Sequence, residues 1–490
     1  MTAQTDRRRL GLALALLAAA QFVVVLDASI VNVALPSIGR DLGFDQGDLS
    51  WVVNAYVLVF GGFLLLGGRL ADLLGRRLIF IVGLVVFELA SLAGGLATSP
   101  GMLIAARAVQ GLGGALLSPA ALSMLTVLFA EGAARNKALG VWGAVAGSGG
   151  AAGVLLGGLL TEYAGWEWVL FVNTPITIGA ALLATRLLPE SRTDGPRRFD
   201  VAGAVTVTAG LSLLVYTLVD ANGAGWLSTQ TLGLGAVAFA LLAAFVVIEL
   251  RSAAPLVDFS IFRMRTLTAT NVVALLVAAA LFSMFFFISL YMQQVLGYDA
   301  LKAGLAYLPL AGGIIVSAGM ASQLVTRIGF KPVFVSGLVL TAIGLAWFAQ
   351  VSVHGAYVSD ILLPSLIAAV GLGFAFVSMT IAAVAGVGPQ QAGLASGLIN
   401  TSQQVGGALG LAILVSVATS RTDSVMAAAD GAPSALPGAL TEGFRAAFTV
   451  GIGFAVVGAI LAAVLISSQA SREHAAAARA GELEPAPAAA

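Results

Sequence analysis

Apolar runs of one characteristic length, separated by short polar breaks, fill almost the whole chain. A helix needs about 20 mostly apolar residues to cross a bilayer. Fourteen such runs stand out, at roughly 11–35, 51–71, 78–97, 102–128, 138–160, 167–188, 201–220, 230–250, 268–292, 303–325, 332–350, 360–385, 395–418 and 446–468. Several contain Gly or Pro, which a membrane bundle tolerates because neighbouring helices re-satisfy the freed backbone groups. The polar breaks are too short to fold as soluble domains. The longest are 189–200 (PESRTDGPRRFD), 251–267 and the Ala/Asp/Pro-rich 419–445. The tail EHAAAARAGELEPAPAAA is of low complexity and is expected to be disordered or a frayed helix. The pattern predicts an all-α polytopic membrane protein.

Composition agrees and removes alternatives. Hydrophobic residues make up 59% of the 490 positions and charged residues only 10%, against about 25% charged in soluble chains. Net charge is zero, so no basic field is offered to nucleic acid. There is no cysteine, which excludes disulfides, thiolate catalysis and thiolate metal sites. His354 and His474 are too far apart in sequence to suggest a metal cluster, and no cofactor is implied. Walker A, HExxH and GxSxG motifs are missing, so neither an enzyme nor a pump with its own ATP site is expected. The apolar stretch after Arg9 runs for a full span without a clear cleavage site, and reads as a first transmembrane helix rather than a leader.

Basic residues orient the spans, because cytoplasmic loops carry the excess of Lys and Arg. With the N-terminus inside, every Lys and Arg falls on the cytoplasmic side except Arg40, Lys302, Arg421 and Arg445, which fall outside, and Arg107, which lies within a span. Both termini are therefore expected in the cytoplasm. Ala/Gly/Val-rich usage with few lysines suggests a bacterial plasma membrane. An internal echo is also visible. GGRLADLLGRR (67–77) and SQLVTRIGFKP (322–332) occupy the same kind of inter-helix position, with Gly329 matching Gly75 and Lys331 matching Arg77. Glycine-rich 139–158 and 393–410 open related helices in the two halves. Such duplication is typical of secondary transporters, and with the absence of a charged pore ring it argues against a channel.

Five segments carry a closer resemblance: LDASIVNVALPSI (26–38), GRLADLLGRR (68–77), LIAARAVQGLGGA (103–115), GAVAGSGGAAGVLLGGLL (143–160) and WEWVLFVNTPI (166–176). In this order, on the first to sixth spans, they resemble the motifs of the major facilitator superfamily, in particular its fourteen-span drug:proton antiporter branch. The resemblance implies a six-helix bundle over 1–188 and a linker with two additional spans over 189–250. A connector with a second six-helix bundle would follow over 251–468, then a tail over 469–490. It implies proton-coupled export of small amphipathic drugs or antibiotics across the plasma membrane by alternating access. The partners would be membrane lipids, substrate and protons, without ATP, and the protein a monomer. Two positions depart from the motifs. Val154 follows Gly153 where Gly-Pro is usual, which keeps symport, uniport or lipid movement open as the alternative. Leu73 stands where the loop motif usually has a basic residue.

The residues themselves name the candidates. Asp27 is a lone carboxylate at membrane depth, roughly 13 Å from Pro36 at the end of its span; Arg107 lies roughly 10 Å below the same surface. An intramembrane acid is costly and is by default a functional candidate. The two are expected either to couple protons to transport or to form a static ion pair. Glu88, at comparable depth, is a packing residue or a relay. Gly68, Asp72, Gly75, Arg76 and Arg77 offer a charged latch, Asp72 at a helix N-terminus paired with arginine, or plain positive-inside signalling. Gly149, Gly153, Gly157 and Gly158 allow close helix approach, which the resemblance places across the interface between the halves, with Asn400, Gln403, Gln404, Gly406, Gly407 and Gly410 as counterpart. Substrate contacts are sought among Asn32, Asn54, Tyr56, Gln110, Asn271, Phe286, Gln294, Tyr307, Asn400 and Gln403. Phe282, Phe285 and Phe287 would extend an aromatic wall, while Trp166 and Trp168 suit the interfacial aromatic belt.

Overall fold

The computed structural model describes residues 3–44, 49, 51–191, 200–252, 255–388 and 391–483; most of the 189–200 break and the last residues of the tail lie outside them. Among the described residues every regular element is helical. In chain order these are α1 (Ala3–Leu42), α2 (Trp51–Leu74), α3 (Arg76–Gly95), α4 (Pro100–Leu128) and α5 (Ala133–Tyr163), then a broken span made of α6 (Trp168–Phe171) and α7 (Asn173–Leu187). Next come α8 (Val201–Ala224), α9 (Thr229–Arg251), α10 (Arg265–Leu290), the short α11 (Ala300–Ala306), α12 (Leu308–Ile328) and α13 (Phe330–Phe348). The last are α14 (Leu363–Val384), α15 (Ala392–Ala428), α16 (Leu436–Leu465) and α17 (Ser468–Leu483). Thirteen helical stretches are long and apolar enough to cross a bilayer. Counting α5, bent by 43° between Gly150 and Ala152, as one span makes fourteen.

Local chemistry sets several helix starts. Ser99 accepts from the Met102 N–H ahead of Pro100, Asp200 caps α8 through the Gly203 N–H, and Asp299 caps α11 through the Lys302 N–H. Gly75 (φ 120°) and Gly329 (φ 88°), matched in the sequence echo, both take the left-handed backbone that separates α2 from α3 and α12 from α13.

The echo continues into packing. A Cβ at Gly153 would lie 2.9 Å from the Leu26 carbonyl oxygen, and one at Gly157 2.7 Å from that of Ile30, so α5 rides on α1. In the second half a Cβ at Gly406 would lie 2.2 Å from the Leu275 carbonyl oxygen and one at Gly410 2.3 Å from Ala279 Cα, so α15 rides on α10 in the same way. The α5 glycines thus face α1 in their own half, which corrects the expectation that they line the interface between halves. That interface uses another face of α5, where Gly140 abuts Ser322 of α12 and Gly143 abuts Val377 of α14. Gly158 is also buried. We expect Gly157→Leu to force α5 off α1, an overpacking cost of about 1–3 kcal/mol or more against backbone atoms. Size-exclusion profiles in detergent would show loss of the monodisperse protein; an unchanged profile would refute the packing argument.

The additional pair packs against both halves. A Cβ at Gly62 on α2 would collide with Ser212 on α8, Trp51 stacks on Tyr216 at 5.7 Å, and Trp226 donates to Ser416 on α15 at 2.7 Å. The outer face of α9, including Val237, Phe239 and Leu250, is exposed and apolar, as a lipid-facing helix requires.

The tail departs from its expectation of disorder or fraying over Ser468–Leu483, which form the docked α17. Its buried positions Ser471, His474, Ala475 and Ala478 fall on one face. Ser471 accepts from the Lys331 N–H at 3.0 Å, and His474 packs edge-on to Phe330. His474 Nε2 lies 2.9 Å from Asn136 Oδ1, while Asn136 Nδ2 donates to Thr326 at 3.0 Å. Since the amide oxygen faces the ring, Nε2 is assigned as the donor. Burial holds the His474 pKa below its ordinary value; Glu131 opposes this and Arg135 assists it. Undocked α17 therefore binds the proton more readily. Docking is at full strength above about pH 6.5 and weakens as pH falls below that value, until the docked histidine also titrates. Limited proteolysis of α17 should accelerate between pH 7.5 and 5.5 and lose its pH dependence in His474→Gln; a flat wild-type profile would contradict this.

Candidate functional site

The first and fourth spans meet at a buried charge node. Arg107 Nη1 on α4 lies 2.5 Å from Asp27 Oδ2 on α1, with the side chains 1% and 0% exposed. Asp27 Oδ1 accepts from Gln110 Nε2 and from Asn173 Nδ2, both at 2.9 Å. Arg107 also donates to Gln110 Oε1 at 2.6 Å and to the Val52 carbonyl at 3.0 Å, and its guanidinium stands 4.4 Å over the Tyr56 ring. Ser91 on α3 accepts from both amides and donates to the Leu170 carbonyl. Five spans thus contribute to the node, and Asp27 is its one carboxylate.

Helix periodicity explains the grouping. Arg107 and Gln110 are one turn apart on α4 and face the same way. Asn173 opens α7 at the break after α6. Asn173 and Ser91 were not singled out by sequence, although Asn173 lies within the quoted 166–176 segment. Every side-chain group bonded to the Asp27 carboxylate is a donor, two on Oδ1 and one on Oδ2. Breaking a buried pair of this kind by removing one partner costs about 3–5 kcal/mol. Two polar atoms of the node, Arg107 Nη2 and Asn173 Oδ1, have no hydrogen-bond partner.

Glu88 stands apart, one turn from Ser91. Its Oε2 accepts from Thr177, and its Oε1 is buried without a hydrogen-bond partner.

A second cluster closes the end of the bundle that carries Arg76, Arg77, Arg135, Arg327 and Lys331, the arginine-rich end. Asp72 Oδ1 accepts from Arg76 at 2.7 Å and from the Gly393 N–H at 3.1 Å; Oδ2 accepts from the Leu394 N–H at 3.1 Å. Asp72 of the first half thereby sits on the N-terminus of α15 in the second, where backbone N–H groups and the helix dipole favour an anion. Arg76 also donates to Ser123 at 2.6 Å. Arg77 pairs with Glu190 at 3.6 Å. Gly68 and Gly393 make the approach possible, since a Cβ at either would lie 2.4 Å from the other's carbonyl oxygen. At Gly75 a Cβ would lie 2.6 Å from Glu190 Oε1. The Asn136–Thr326 bond and the Gly140–Ser322 contact complete the seal between halves.

The description "Major Facilitator Superfamily" matches residues 17–411. The chain belongs to the Major Facilitator Superfamily. It is 42% identical over 466 residues to the cephamycin export protein CmcT of Amycolatopsis lactamdurans, covering 93% of each chain. It is 40% identical over 467 residues to the puromycin resistance protein pur8 of Streptomyces alboniger, covering 94% of this chain and 92% of that one. The multidrug resistance protein Stp of Mycobacterium tuberculosis is 33% identical over 397 residues. In fold, the crystal structure of the human organic anion transporter MFSD10 (TETRAN) matches with a TM-score of 0.63 at 15% identity, covering 94% of this chain and all of that one.

Within this superfamily scaffold the substrate candidates separate into two groups. Tyr56, Gln110, Asn271 and Tyr307 are buried and engaged. Tyr56 lies beneath Arg107, Gln110 belongs to the node, and Asn271 donates to Leu267 and accepts from Ser402. Tyr307 donates to the Phe285 carbonyl at 2.6 Å and stacks on that ring. Their polar atoms are spent within the protein, so the structure does not present them as free contacts. Asn32, Phe286 and Gln294 are exposed, and Asn54, Asn400 and Gln403 half-buried. Asn32 and Asn400 bond back to carbonyls of their own helices. Phe287 is buried among Phe444 and Phe448, and the side chain of Phe282 lies outside the described residues. Trp168 is exposed, whereas Trp166 is buried in a core with Leu26 and Leu103, which corrects its assignment to an interfacial belt.

Proposed function

We propose that this chain is a proton-driven exporter of small amphipathic organic molecules, antibiotics among them, in a bacterial plasma membrane with both termini in the cytoplasm. The observation that carries the reading is the Asp27 carboxylate enclosed by donors from α4 and α7. On this reading its proton exchange is coupled to movement of α4 and α7 against α1, because those helices supply its partners. Relatives named for puromycin resistance and cephamycin export supply the direction and the substrate class.

On this reading the structure is the state closed at its cytoplasmic, arginine-rich end. The halves 1–188 and 251–468 rock against each other, with 189–250 carried along the seam. The Asp72 latch and the Asn136–Thr326 bond part when the transporter opens inward. Few acids face the interior, so the favoured substrates are neutral or weakly charged. Val154 in place of proline supports a second reading, a uniporter, symporter or lipid mover of the same fold.

Everted vesicles holding the protein, acidified inside, decide between them. Uptake of a fluorescent amphipathic dye that collapses with the pH gradient, accompanied by proton release from the interior, is the expected result. Dye movement indifferent to the gradient would overturn antiport in favour of uniport.

A further inference from the structure

A cavity of about 680 Å³ opens at the arginine-rich end, between the last turn of α12, the first turns of α13 and the docked α17. Its polar wall holds Lys331, Arg472, Ser468 and Ser336, and among the described residues no carboxylate lines it. Lys331 Nζ donates to Ser468 at 2.8 Å, leaving two further N–H bonds. Neither cation belongs to an ion pair among the described residues. The other wall is apolar, and it continues beyond the cavity. Val335 and Val339 line it, and Ile343 (47% exposed) and Trp347 (38% exposed) extend the same face of α13 at four-residue spacing. The ridge runs from the arginine-rich end along α13 to its far end.

Two unpaired cations at a membrane boundary, above a groove that becomes an exposed apolar ridge, match one kind of ligand. A small water-soluble anion would use the cations and leave the apolar wall wet. A zwitterionic lipid would bring its own cation against Lys331 and Arg472. We propose that this cavity binds an anionic phospholipid of the adjoining leaflet, its phosphate between Lys331 and Arg472 and an acyl chain along Val335, Val339 and Ile343. Because one cation belongs to α13 and the other to α17, the bound lipid fastens α17 to the second half. It thereby supports the Asn136–His474 contact between α5 and α17.

The test uses purified, delipidated full-length protein and native mass spectrometry with phosphatidylglycerol or phosphatidylcholine of identical chains. We expect phosphatidylglycerol to be retained at least tenfold better than phosphatidylcholine, and this preference to vanish in Lys331→Gln/Arg472→Gln. The charge-preserving Lys331→Arg/Arg472→Lys should keep it. Val339→Glu, which places a carboxylate in the apolar groove, should lose it without touching either cation. Melting curves in phosphatidylcholine identify any variant that has failed to fold. Equal retention of the two lipids, or an undiminished preference in the double Gln variant, would overturn the proposal. Thermal stabilisation by inorganic phosphate equal to that by phosphatidylglycerol, and lost in the double Gln variant, would reassign the cavity to free anions.

Discussion

Asp27→Asn should abolish gradient-driven transport, with initial rates falling at least 100-fold while the protein still reaches the membrane. The carboxylate accepts from three side chains of two neighbouring helices. Asparagine offers one acceptor and brings two N–H bonds of its own, so at least one donor around it is left facing another donor. More important, it cannot exchange a proton. Arg107→Ala should be harsher on the fold, because it leaves a buried carboxylate without its cation, at a cost of about 3–5 kcal/mol. Everted-vesicle transport, normalised to protein in the membrane, distinguishes these outcomes. Proton-coupled uptake surviving in Asp27→Asn would reduce the node to a structural ion pair.

Asp72→Ala should unlatch the arginine-rich end. Bonds to charged groups are worth about 1.5–3 kcal/mol each; of the three lost here, the one to Arg76 lies within the first half and the two to Gly393 and Leu394 join the halves. A net shift of about 3 kcal/mol would move the balance between states by about 100-fold. The chain has no cysteine, so a single introduced pair can report closure without background. Gly61→Cys with Gln404→Cys spans the seam between α2 and α15, where a Cβ at 61 would lie 3.8 Å from Gln404 Cβ, within disulfide reach. Disulfide formation across this pair should slow at least tenfold when Asp72→Ala is added, and transport should fall by a similar factor. Unchanged cross-linking would show that the contact with α15 does not control closure.

Much of this architecture was legible because the bilayer restricts the possibilities: span lengths, the two-half echo and the depths of Asp27 and Arg107 all follow from rise per residue and hydropathy. What hydropathy does not give is rotation about the helix axis. In α4, buried around most of its surface, Gln110 could not be assigned to the charge rather than to substrate. The ridge Gly149–Gly153–Gly157 announced a close neighbour but not its identity. α5 presents small residues on two faces, one to α1 and one to the second half. The low-complexity tail suggests disorder or a frayed helix. Its buried positions nonetheless recur at three and four residues, 471, 474, 475 and 478, and small side chains suffice where α17 lies directly on the bundle.

On the proposed function, the single carboxylate of the node bears on how far export can run. If it exchanges one proton per turnover, each 100 mV of proton-motive force supplies about 2.3 kcal/mol, an accumulation ratio of about 50-fold. For an uncharged antibiotic the cycle carries one positive charge inward, so membrane voltage and pH difference both contribute. For a monovalent cation leaving as the proton enters, the charges cancel and only the pH difference remains. One protein would therefore clear neutral compounds more deeply than cationic ones in a cell whose gradient is mostly electrical.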